Sequence, residues 1–358
     1  MKEIVVNLKE NKYKIVIGYK IFSQLGRLVQ DLNIGQDAII ITNHLIKDLY
    51  GKNIEKSLKE NAISTKFLTI PDTEKSKSIN HIIKLCEEIG LYDKQKSIFL
   101  VALGGGVVGD VTGFVASIYK RGVPYIQIPT TLLAQVDSSI GGKTGVDLKI
   151  AKNLVGSFYQ PKLVFTDLFF LGTLSIHDIK SGFAEIIKTA IIKDTSLFSY
   201  LEKNINHILK LDKNILEKII FRCAQIKAQI VTIDERETKN IRTILNFGHT
   251  IGHAIEAATN YTRYTHGEAV AIGMVCASKI SERLGYIENK TFQKIQSLIA
   301  KADLPIKIKN VEVRKIIDSS LRDKKFIKGK NRFVLIEDIG KAFIKENISL
   351  EIIKEVLA

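Results

Sequence analysis

Residues 97–119, with the sequence SIFLVALGGGVVGDVTGFVASIY, indicate the class of fold. Its apolar run up to Leu103 predicts a buried strand, the following glycines a tight turn, and the apolar residues after Gly109 a buried helix. Its length and hydropathy approach those of a membrane span, but Asp110 and the glycines argue against one. We therefore predict a strand, a turn and a helix.

Gly104, Gly106 and Gly109 have the spacing GxGxxG. Between a strand and a helix, such a turn can offer backbone amides and a helix N-terminus to a pyrophosphate. Unlike the usual dinucleotide-binding fold, the motif lies in the middle of its half of the chain, and no acidic residue follows about 20 residues later to bind a ribose. The context favours a phosphate-binding turn, and close helix–sheet packing is the alternative.

The two halves of the chain differ in glycine and proline content and in the spacing of their apolar residues. Sixteen of the 24 glycines and four of the five prolines fall in residues 1–173, where short β-branched runs alternate with helical patterns such as Ile79 to Ile89. Residues 162–304 lack proline, and their apolar residues recur at helical spacing. We predict an α/β, Rossmann-like nucleotide-binding domain over residues 1–173 and an all-α domain over residues 174–358, with a short strand near Phe333.

Composition narrows the function classes. Of the 358 residues, 45% are hydrophobic and 25% are charged, as in ordinary folded proteins. The net charge of +15 favours anionic ligands, but the densest basic run, residues 322–332, holds a single aromatic residue, unlike single-strand binders. The start of the chain lacks a signal-peptide pattern, and the three widely spaced cysteines suggest no disulfide framework. We expect a cytoplasmic protein with no membrane or nucleic-acid partner.

Small polar residues are dense in PTTLLAQVDSSIGGKTGVD, residues 129–147. This composition would be costly in a core, whereas it suits a backbone that approaches a ligand closely. Asp137 and Lys143 belong to this segment, and Lys143 could bind an oxyanion or a phosphate.

Three of the seven histidines lie within 18 residues and suggest a metal site. His249 and His253 are four residues apart in a helical pattern and would share a face, while His266 starts another helical segment. Glu185, which opens the first helical stretch, could add a carboxylate to form a catalytic zinc set with an open position. Spacing alone makes His249 and His253 joint ligands and leaves Glu256 and Glu268 open as ligands.

Charged and polar residues flank this cluster: Lys188, Lys227, Glu237, Arg242 and Asn246. Surface ion pairing is the simpler interpretation. If they converge on a metal, they suit a substrate with carboxylate, phosphate and hydroxyl groups, with Glu237 or His253 carrying a proton.

Seven segments carry a family resemblance. They are ALGGGVVGDVTGFVAS, RGVPYIQIPTTLLAQVDSSIGGKTGVD, KNLVGSFYQP, FAEIIK, DERE, LNFGHTIGHAIE and HGEAVAIGM, in this order over nearly the whole chain. A nucleotide-binding turn followed by a helical domain with a Glu/His cluster resembles the superfamily of dehydroquinate synthases and iron-dependent alcohol dehydrogenases. The segments themselves resemble the bacterial 3-dehydroquinate synthase family.

The resemblance implies a phosphorus–oxygen lyase of the shikimate pathway, which supplies chorismate and the aromatic amino acids. Such an enzyme converts 3-deoxy-D-arabino-heptulosonate 7-phosphate (DAHP) into 3-dehydroquinate and phosphate. NAD transiently oxidises a hydroxyl held by zinc or cobalt, phosphate is eliminated, the ketone is reduced again, and an intramolecular aldol step closes the ring. A homodimer with the active site in the cleft between the two domains is also implied.

The resemblance further assigns site residues. It makes Glu185, His249 and His266 the metal ligands and gives His253 and Glu237 proton-handling roles, with Lys143 and Arg242 beside them in catalysis. Substrate would be held by Asp137, Lys143, Asn153, Lys188, Lys227, Arg242, Asn246 and Lys324 or Lys325, with Arg121 reaching the phosphate from the other subunit. NAD would contact Asn43, Asp72, Glu74, Lys77, Gly105, Gly106, Val107, Gly109, Asp110, Thr130, Thr131, Lys143, Lys152, Phe170, Leu171, Gly172 and Thr173.

The sequence departs from the family pattern between Glu237 and Arg242, where residues 238–241 form a link one residue longer than usual and without glycine. We expect this link to bulge outward. Two alternatives remain within the superfamily. The first is another sugar phosphate cyclase whose substrate lacks a carboxylate, and Lys227 and Arg242 argue against it because they would bind that group. The second is a metal-dependent alcohol or glycerol dehydrogenase. A basic nucleic-acid binder would leave the set of Glu185, His249 and His266 without a purpose.

Overall fold

The computed structural model describes residues 1–9, 11–148, 150–321 and 331–357. The chain folds as two compact units, each continuous in space but not in sequence. The first consists of Met1–Leu174 and Lys227–Arg236, and the second of Ser175–Ile226 and Glu237–Ala358.

The first unit is built around a mixed, mainly parallel sheet. Its β-branched runs form strands, and the amphipathic segments between them form helices, as the alternating pattern predicts. The strands are β1 (Lys2–Asn7), β2 (Lys12–Gly18), β3 (Asp37–Thr42), β4 (Ser64–Thr69), β5 (Ile98–Gly104), β6 (Tyr125–Pro129), β7 (Lys143–Leu148), β8 (Ala151–Phe158) and β9 (Leu163–Asp167). The helices are α1 (Leu25–Leu32), α2 (His44–Lys59), α3 (Ile79–Tyr92) and α4 (Gly106–Ile118).

Strand order creates a switch point in this sheet. Among the described residues the order is β1-β2-β9-β6-β5-β3-β4, with β1 antiparallel to β2 and the other neighbours parallel. From β3 the chain continues outward to β4, and it then returns to the other side of β3 as β5. In such sheets, ligands bind beyond the carboxyl ends of the two strands where the winding reverses. Here those ends are Thr42 of β3 and Gly104 of β5.

Alternating side chains supply a core on each face of the sheet. Ile40, Val101 and Ile126 pack on one face with residues of α1 and α2. Ile39 and Leu100 pack on the opposite face with residues of α3 and α4. Strands covered on both faces are apolar throughout, which explains why the 98–104 run is fully buried.

The second unit is helical, with one β-hairpin among its described residues. Its helices are α5 (Ile176–Lys193), α6 (Thr195–Leu209), α7 (Lys213–Ile233, whose last residues belong to the first unit), α8 (His249–Ala258), α9 (His266–Arg283), α10 (Asn289–Lys301), α11 (Val313–Leu321) and α12 (Leu350–Leu357). Strands β10 (Arg332–Asp338) and β11 (Lys341–Glu346) pair antiparallel.

Three details differ from the sequence-based expectations. The predicted strand near Phe333 has a partner strand, so this unit is not purely helical. The glycine-rich segment 129–147 ends in the first strand of the β7–β8 hairpin, which its small residues did not suggest. Glu185 lies in the middle of α5 rather than at its start, because the helix begins at Ile176, capped by the Ser175 hydroxyl. None of the described helices is long and apolar enough to cross a membrane.

Candidate active site

The predicted glycine turn joins β5 to α4. Gly105 is the N-cap of α4, and Thr130, the residue after β6, donates its backbone N–H to the carbonyl of Gly104 at 3.0 Å. A Cβ on Gly105 would lie 3.0 Å from the Thr131 side chain, and one on Gly109 would lie 2.9 Å from Oε1 of Gln127 on β6. The glycines therefore bring the start of α4 close to the sheet, so that its first amides face the switch point.

A second cluster gathers predicted cofactor residues beside this helix. The Lys77 ammonium lies 2.8 Å from Oδ2 of Asp110 on α4 and 2.6 Å from Oδ1 of Asn153 on β8. Lys152 lies 3.4 Å from Glu74. Burial would lower the pKa of Lys77, but the charges of Asp110 and Glu74 raise it, so the lysine stays charged. The structure thus brings together Asn153, predicted to bind substrate, and Lys77, predicted to bind NAD.

The remaining predicted cofactor residues have local partners. Asn43 follows β3 and caps α2, since its Oδ1 accepts from the backbone of Ile46 at 2.8 Å. Phe170 and Leu171 are buried in the core, whereas a Cβ on Gly172 would meet nothing within 4 Å. Thr173 shares a 2.6 Å hydrogen bond with the hydroxyl of Tyr50. Phe170 and Leu171 therefore offer almost no accessible surface to a ligand, whereas Gly172 and Asp72 are exposed.

Lys227 belongs to the first unit, where it meets Asp137. Its ammonium lies 2.6 Å from Oδ1 of Asp137 and 2.7 Å from the backbone oxygen of the same residue. Asp137 sits in a short turn of π-helix, residues 134–138, that widens the backbone after Thr131. Lys143 starts β7 and is exposed.

Three predicted metal ligands converge in the second unit. Oε1 of Glu185 on α5 lies 3.4 Å from Nε2 of His249 on α8 and 3.6 Å from Nε2 of His266 on α9. One ligand atom from each of the three residues lies within 4.8 Å of the others. Zinc bonds of 2.0–2.2 Å in a tetrahedron place neighbouring ligand atoms about 3.3–3.6 Å apart. The separations therefore fit a divalent ion bound by one carboxylate oxygen and two imidazole nitrogens.

Each imidazole is oriented through its second nitrogen. Nδ1 of His249 lies 3.1 Å from the carbonyl oxygen of Phe247, and Nδ1 of His266 lies 3.4 Å from Oε2 of Glu256. Acceptors at Nδ1 leave Nε2 for the metal, an arrangement common around metal-binding histidines. If Glu185, His249 and His266 hold the ion, Glu256 is the partner of one ligand, although it also lies within ligand distance of His253 and His266. Its signal in the sequence is its position seven residues after His249, on the same helical face.

Glu268, the other open candidate, serves the backbone. Its carboxylate accepts from the backbone N–H of Thr265 at 2.8 Å, and the Thr265 hydroxyl accepts from the Glu268 backbone at 3.3 Å. This capping box starts α9 at His266 and holds that histidine at the first turn of the helix.

The buried carboxylates of this cluster favour a positive charge beside them. Burial would raise the pKa of Glu185, but Lys188 and His266 lower it to about 2. Burial would lower the pKa of His266, but Glu185 and Glu256 raise it to about 10. The two buried carboxylates thus hold a proton on His266, and a divalent ion bound by Nε2 would replace that proton. No described donor meets either Glu185 oxygen with good hydrogen-bond geometry, although Lys188 and both imidazoles lie at ion-pair distance.

Both predicted proton carriers belong to the second unit, and one of them, His253, lies beside the predicted ligands. His253 is one turn after His249 on α8, and its ring centre lies 5.3 Å from that of His249 and 6.1 Å from that of His266. Nδ2 of Asn246 donates to Oε1 of Glu237 at 3.1 Å. Arg242, at the start of the same 3-10 turn as Asn246, is buried. Residues 238–241, the longer link, are exposed.

Two of the predicted substrate-binding groups have no described contact with the clusters above. Arg121 belongs to the turn after α4 and is exposed, far along the helix from the glycine turn. Lys324 and Lys325 lie outside the described residues, so their prediction stands on the sequence alone.

Comparison with known proteins identifies the family. Residues 67–181 match the family model described as 3-dehydroquinate synthase N-terminal, and residues 182–326 match the one described as 3-dehydroquinate synthase C-terminal. The 3-dehydroquinate synthase of Thermoanaerobacter pseudethanolicus is 46% identical over 99% of this chain and 100% of its own. The chain belongs to the 3-dehydroquinate synthase family. The family member from Thermodesulfovibrio yellowstonii is 45% identical, with 100% of this chain and 99% of its own covered.

Solved structures share the whole fold. A 2-deoxy-scyllo-inosose synthase complexed with carbaglucose-6-phosphate, NAD+ and Co2+ has a TM-score of 0.90 and 26% identity, covering 99% of both chains. A 2-epi-5-epi-valiolone synthase from Streptomyces hygroscopicus with NAD+ and Zn2+ bound has a TM-score of 0.89 and 25% identity, covering 99% of this chain and 98% of its own. A glycerol dehydrogenase from Schizosaccharomyces pombe, at 17% identity and a TM-score of 0.70, is alike in fold alone.

Proposed function

We propose that this protein is a 3-dehydroquinate synthase that converts DAHP into 3-dehydroquinate and phosphate, a phosphorus–oxygen lyase reaction. The observation that carries the proposal is full-length similarity at 46% identity to a 3-dehydroquinate synthase, in a chain whose Glu185, His249 and His266 converge at metal-binding distances. The same residues would have no evident use in a nucleic-acid binder, which the net charge alone would allow.

NAD is the proposed cofactor of the first unit. Amides at the start of α4 and the turn at Thr130 and Thr131 would receive the pyrophosphate, beside the winding reversal of the sheet. Lys77, held by Asp110 and Asn153, would fix the edge of this site. Support also comes from the related cyclases, which were solved with NAD+.

Zinc or cobalt is the proposed metal of the second unit, with Glu185, His249 and His266 as its ligands. When bound, NAD would accept and return a hydride, and the metal would polarise the hydroxyl group being oxidised. Lys188 lies against Glu185 in the interior and would neutralise part of its charge while offering a donor to substrate oxygens.

Proton transfer and substrate orientation fall to this chain's own residues. Glu237, oriented by Asn246, and His253, one turn from His249, are the proposed carriers of protons. Lys227, Arg242 and Lys143 would bind the carboxylate and other oxygens of DAHP. A guanidinium suits a carboxylate because it can donate two parallel hydrogen bonds.

We propose a homodimer in which Arg121 of one subunit binds the substrate phosphate in the other. Arg121 is exposed, and within the described ranges it makes no hydrogen bond or ion pair. An arginine kept free in this way can bind an anion brought by a second molecule.

A single coupled assay tests the proposed reaction. Purified protein with NAD, zinc and DAHP should release stoichiometric phosphate while the NADH absorbance shows no net rise, because the hydride is returned within each turnover. A chelator should abolish phosphate release. Accumulating NADH in the presence of an alcohol would instead indicate a dehydrogenase.

Another sugar phosphate cyclase is the second candidate, because the two cyclases described above are a 2-deoxy-scyllo-inosose synthase and a 2-epi-5-epi-valiolone synthase. Phosphate release from a sugar phosphate without a carboxylate, and none from DAHP, would favour this candidate. Retained metal and NAD binding in that case would show that only the substrate assignment had failed.

A further inference from the structure

The turn that carries Arg121 has an unusual backbone. Lys120, Arg121 and Gly122 have φ values of +49°, +64° and +129°, so three successive residues lie in the left-handed half of the map. For the two residues with side chains, this conformation costs about 1–3 kcal/mol each. Strain of this kind persists only where the surroundings hold it in place.

A buried carboxylate on a neighbouring helix holds one side of this turn. Asp93, the C-cap of α3, is 5% exposed. Its Oδ2 accepts from the Tyr119 hydroxyl at 2.7 Å and lies 2.6 Å from the Lys120 ammonium. Burial and this hydrogen bond raise the pKa of Tyr119 to about 12, so the phenol remains a donor at all working pH values.

Tyr159, after β8, holds the other side. Its hydroxyl donates to the carbonyl of Val123 at 2.9 Å, and a Cβ on Gly122 would lie 3.3 Å from that hydroxyl. The backbone N–H of Val123 also donates to the carbonyl of Ala116 at 2.9 Å, which closes the turn onto α4. Hydrogen bonds and an ion pair therefore hold the backbone on both sides of Arg121, whereas its guanidinium has no partner among the described residues.

We infer that Asp93 is a positioning residue for Arg121: through Tyr119 and Lys120 it fixes the strained turn that presents the guanidinium to a phosphate. The inference rests on the proposed function for the identity of that phosphate, that of the substrate. Because the backbone on both sides of Arg121 is already fixed, little backbone entropy is lost when the side chain binds its ligand. Of the four residues, only Arg121 would contact the phosphate in this arrangement.

A double-mutant cycle separates positioning from general stability. We would measure kcat and KM for DAHP in Asp93→Asn, Tyr119→Phe and Arg121→Ala, and in Asp93→Asn combined with Arg121→Ala. Arg121→Ala should lower kcat/KM ~10–100-fold, as expected for a lost charge-assisted hydrogen bond, and Asp93→Asn ~3–10-fold, mainly through KM. Once Arg121 is absent, Asp93→Asn should change kcat/KM less than about twofold, because coupled residues are not additive.

Asp37 provides a matched control. It too accepts from a hydroxyl, that of Ser64 at 2.6 Å, and pairs with a lysine, Lys96, at 3.1 Å. Asp37→Asn should leave kcat/KM for DAHP unchanged in both backgrounds. Equal losses from Asp93→Asn with and without Arg121, or an equal loss from Asp37→Asn, would overturn the inference.

Phosphate binding gives a readout that does not depend on turnover. In the protein loaded with NAD and zinc, a 31P NMR titration with inorganic phosphate should show weaker binding in Asp93→Asn, Tyr119→Phe and Arg121→Ala and unchanged binding in Asp37→Asn. If the wild type fails to turn over DAHP yet shows this pattern, the proposed substrate is wrong and the positioning role stands. Unchanged phosphate binding in Tyr119→Phe and Asp93→Asn, beside weaker binding in Arg121→Ala, would refute the positioning role.

Discussion

Replacing Glu256 by glutamine should weaken zinc binding about tenfold, although Glu256 is a partner of a ligand and not itself a proposed ligand. Its carboxylate is buried and lies 3.4 Å from Nδ1 of His266. At that distance and an effective dielectric constant of ~20, a full positive charge on the ring would gain about 5 kcal/mol. In the metal-free protein Glu256 also stabilises the proton on His266 that zinc replaces, so only the difference between the two states changes zinc affinity. Zinc brings two positive charges where the proton brings one, so loss of the carboxylate should weaken zinc binding by less than this figure.

Loss of an outer-shell partner typically lowers metal affinity ~10–100-fold. Glutamine keeps an oxygen that can accept from Nδ1, so Glu256→Gln should fall near the lower end, about 1.4 kcal/mol. Glu256→Ala removes the acceptor as well and should approach a hundredfold loss, about 2.8 kcal/mol.

Competition with a chromophoric chelator at neutral pH measures this affinity directly, and circular dichroism checks that each variant is folded. Glu268→Gln is the matched control, since Glu268 lies two residues from His266 but accepts from Thr265, and glutamine can replace glutamate in a capping box. An unchanged affinity in Glu256→Gln, or an equal loss in Glu268→Gln, would refute the reasoning.

Four further outcomes are expected. His266→Ala should lose bound zinc and phosphate release while the circular dichroism spectrum is retained, and full metal occupancy would remove His266 from the ligand set. Lys227→Ala should weaken DAHP binding ~10-fold or more while NAD binding changes little, because it removes a charge-assisted donor, and calorimetric titrations showing equal losses would contradict a carboxylate role. Gly109→Ala should lower stability by about 1 kcal/mol in denaturant titrations, because its Cβ would lie 2.9 Å from Oε1 at the end of the buried Gln127 side chain, and unchanged stability would show that this side chain moves aside. Mixing Arg121→Ala with Glu185→Gln should restore part of the activity through hybrid dimers, and no recovery would mean that Arg121 acts within its own subunit.

Local sequence determined the elements that carry the site. The run at 98–104 followed by glycines predicts a buried strand, a turn and a helix, and the structure has β5, a turn at Gly105 and α4 there. Likewise, the helix-periodic segments from Ile176 to Lys301 fold as helices α5 to α10. Helical periodicity and the absence of proline are local features, so they predict a helix without knowledge of what packs against it. The family resemblance, resting on long ordered motifs, agrees with relatives 44–46% identical over 99% of the chain.

Which side chains contact one another depends on how the helices pack. Four-residue spacing puts His249 and His253 on one face of α8, but the packing of α5, α8 and α9 brings Glu185 to Nε2 of His249 and of His266. The same packing gives Glu256 to His266, while Glu268 closes its own helix cap.

The contacts that hold the turn at Arg121 could not be predicted from the sequence for the same reason. Asp93 and Tyr119 are 26 residues apart, and nothing local to either predicts that the end of α3 lies beside the turn after α4. Spacing along a helix fixes directions within that helix alone, whereas a binding site depends on how separate elements pack. Local patterns in the chain therefore predict the elements and the candidate residues, whereas contacts between those residues follow from the packing of elements that are distant in sequence.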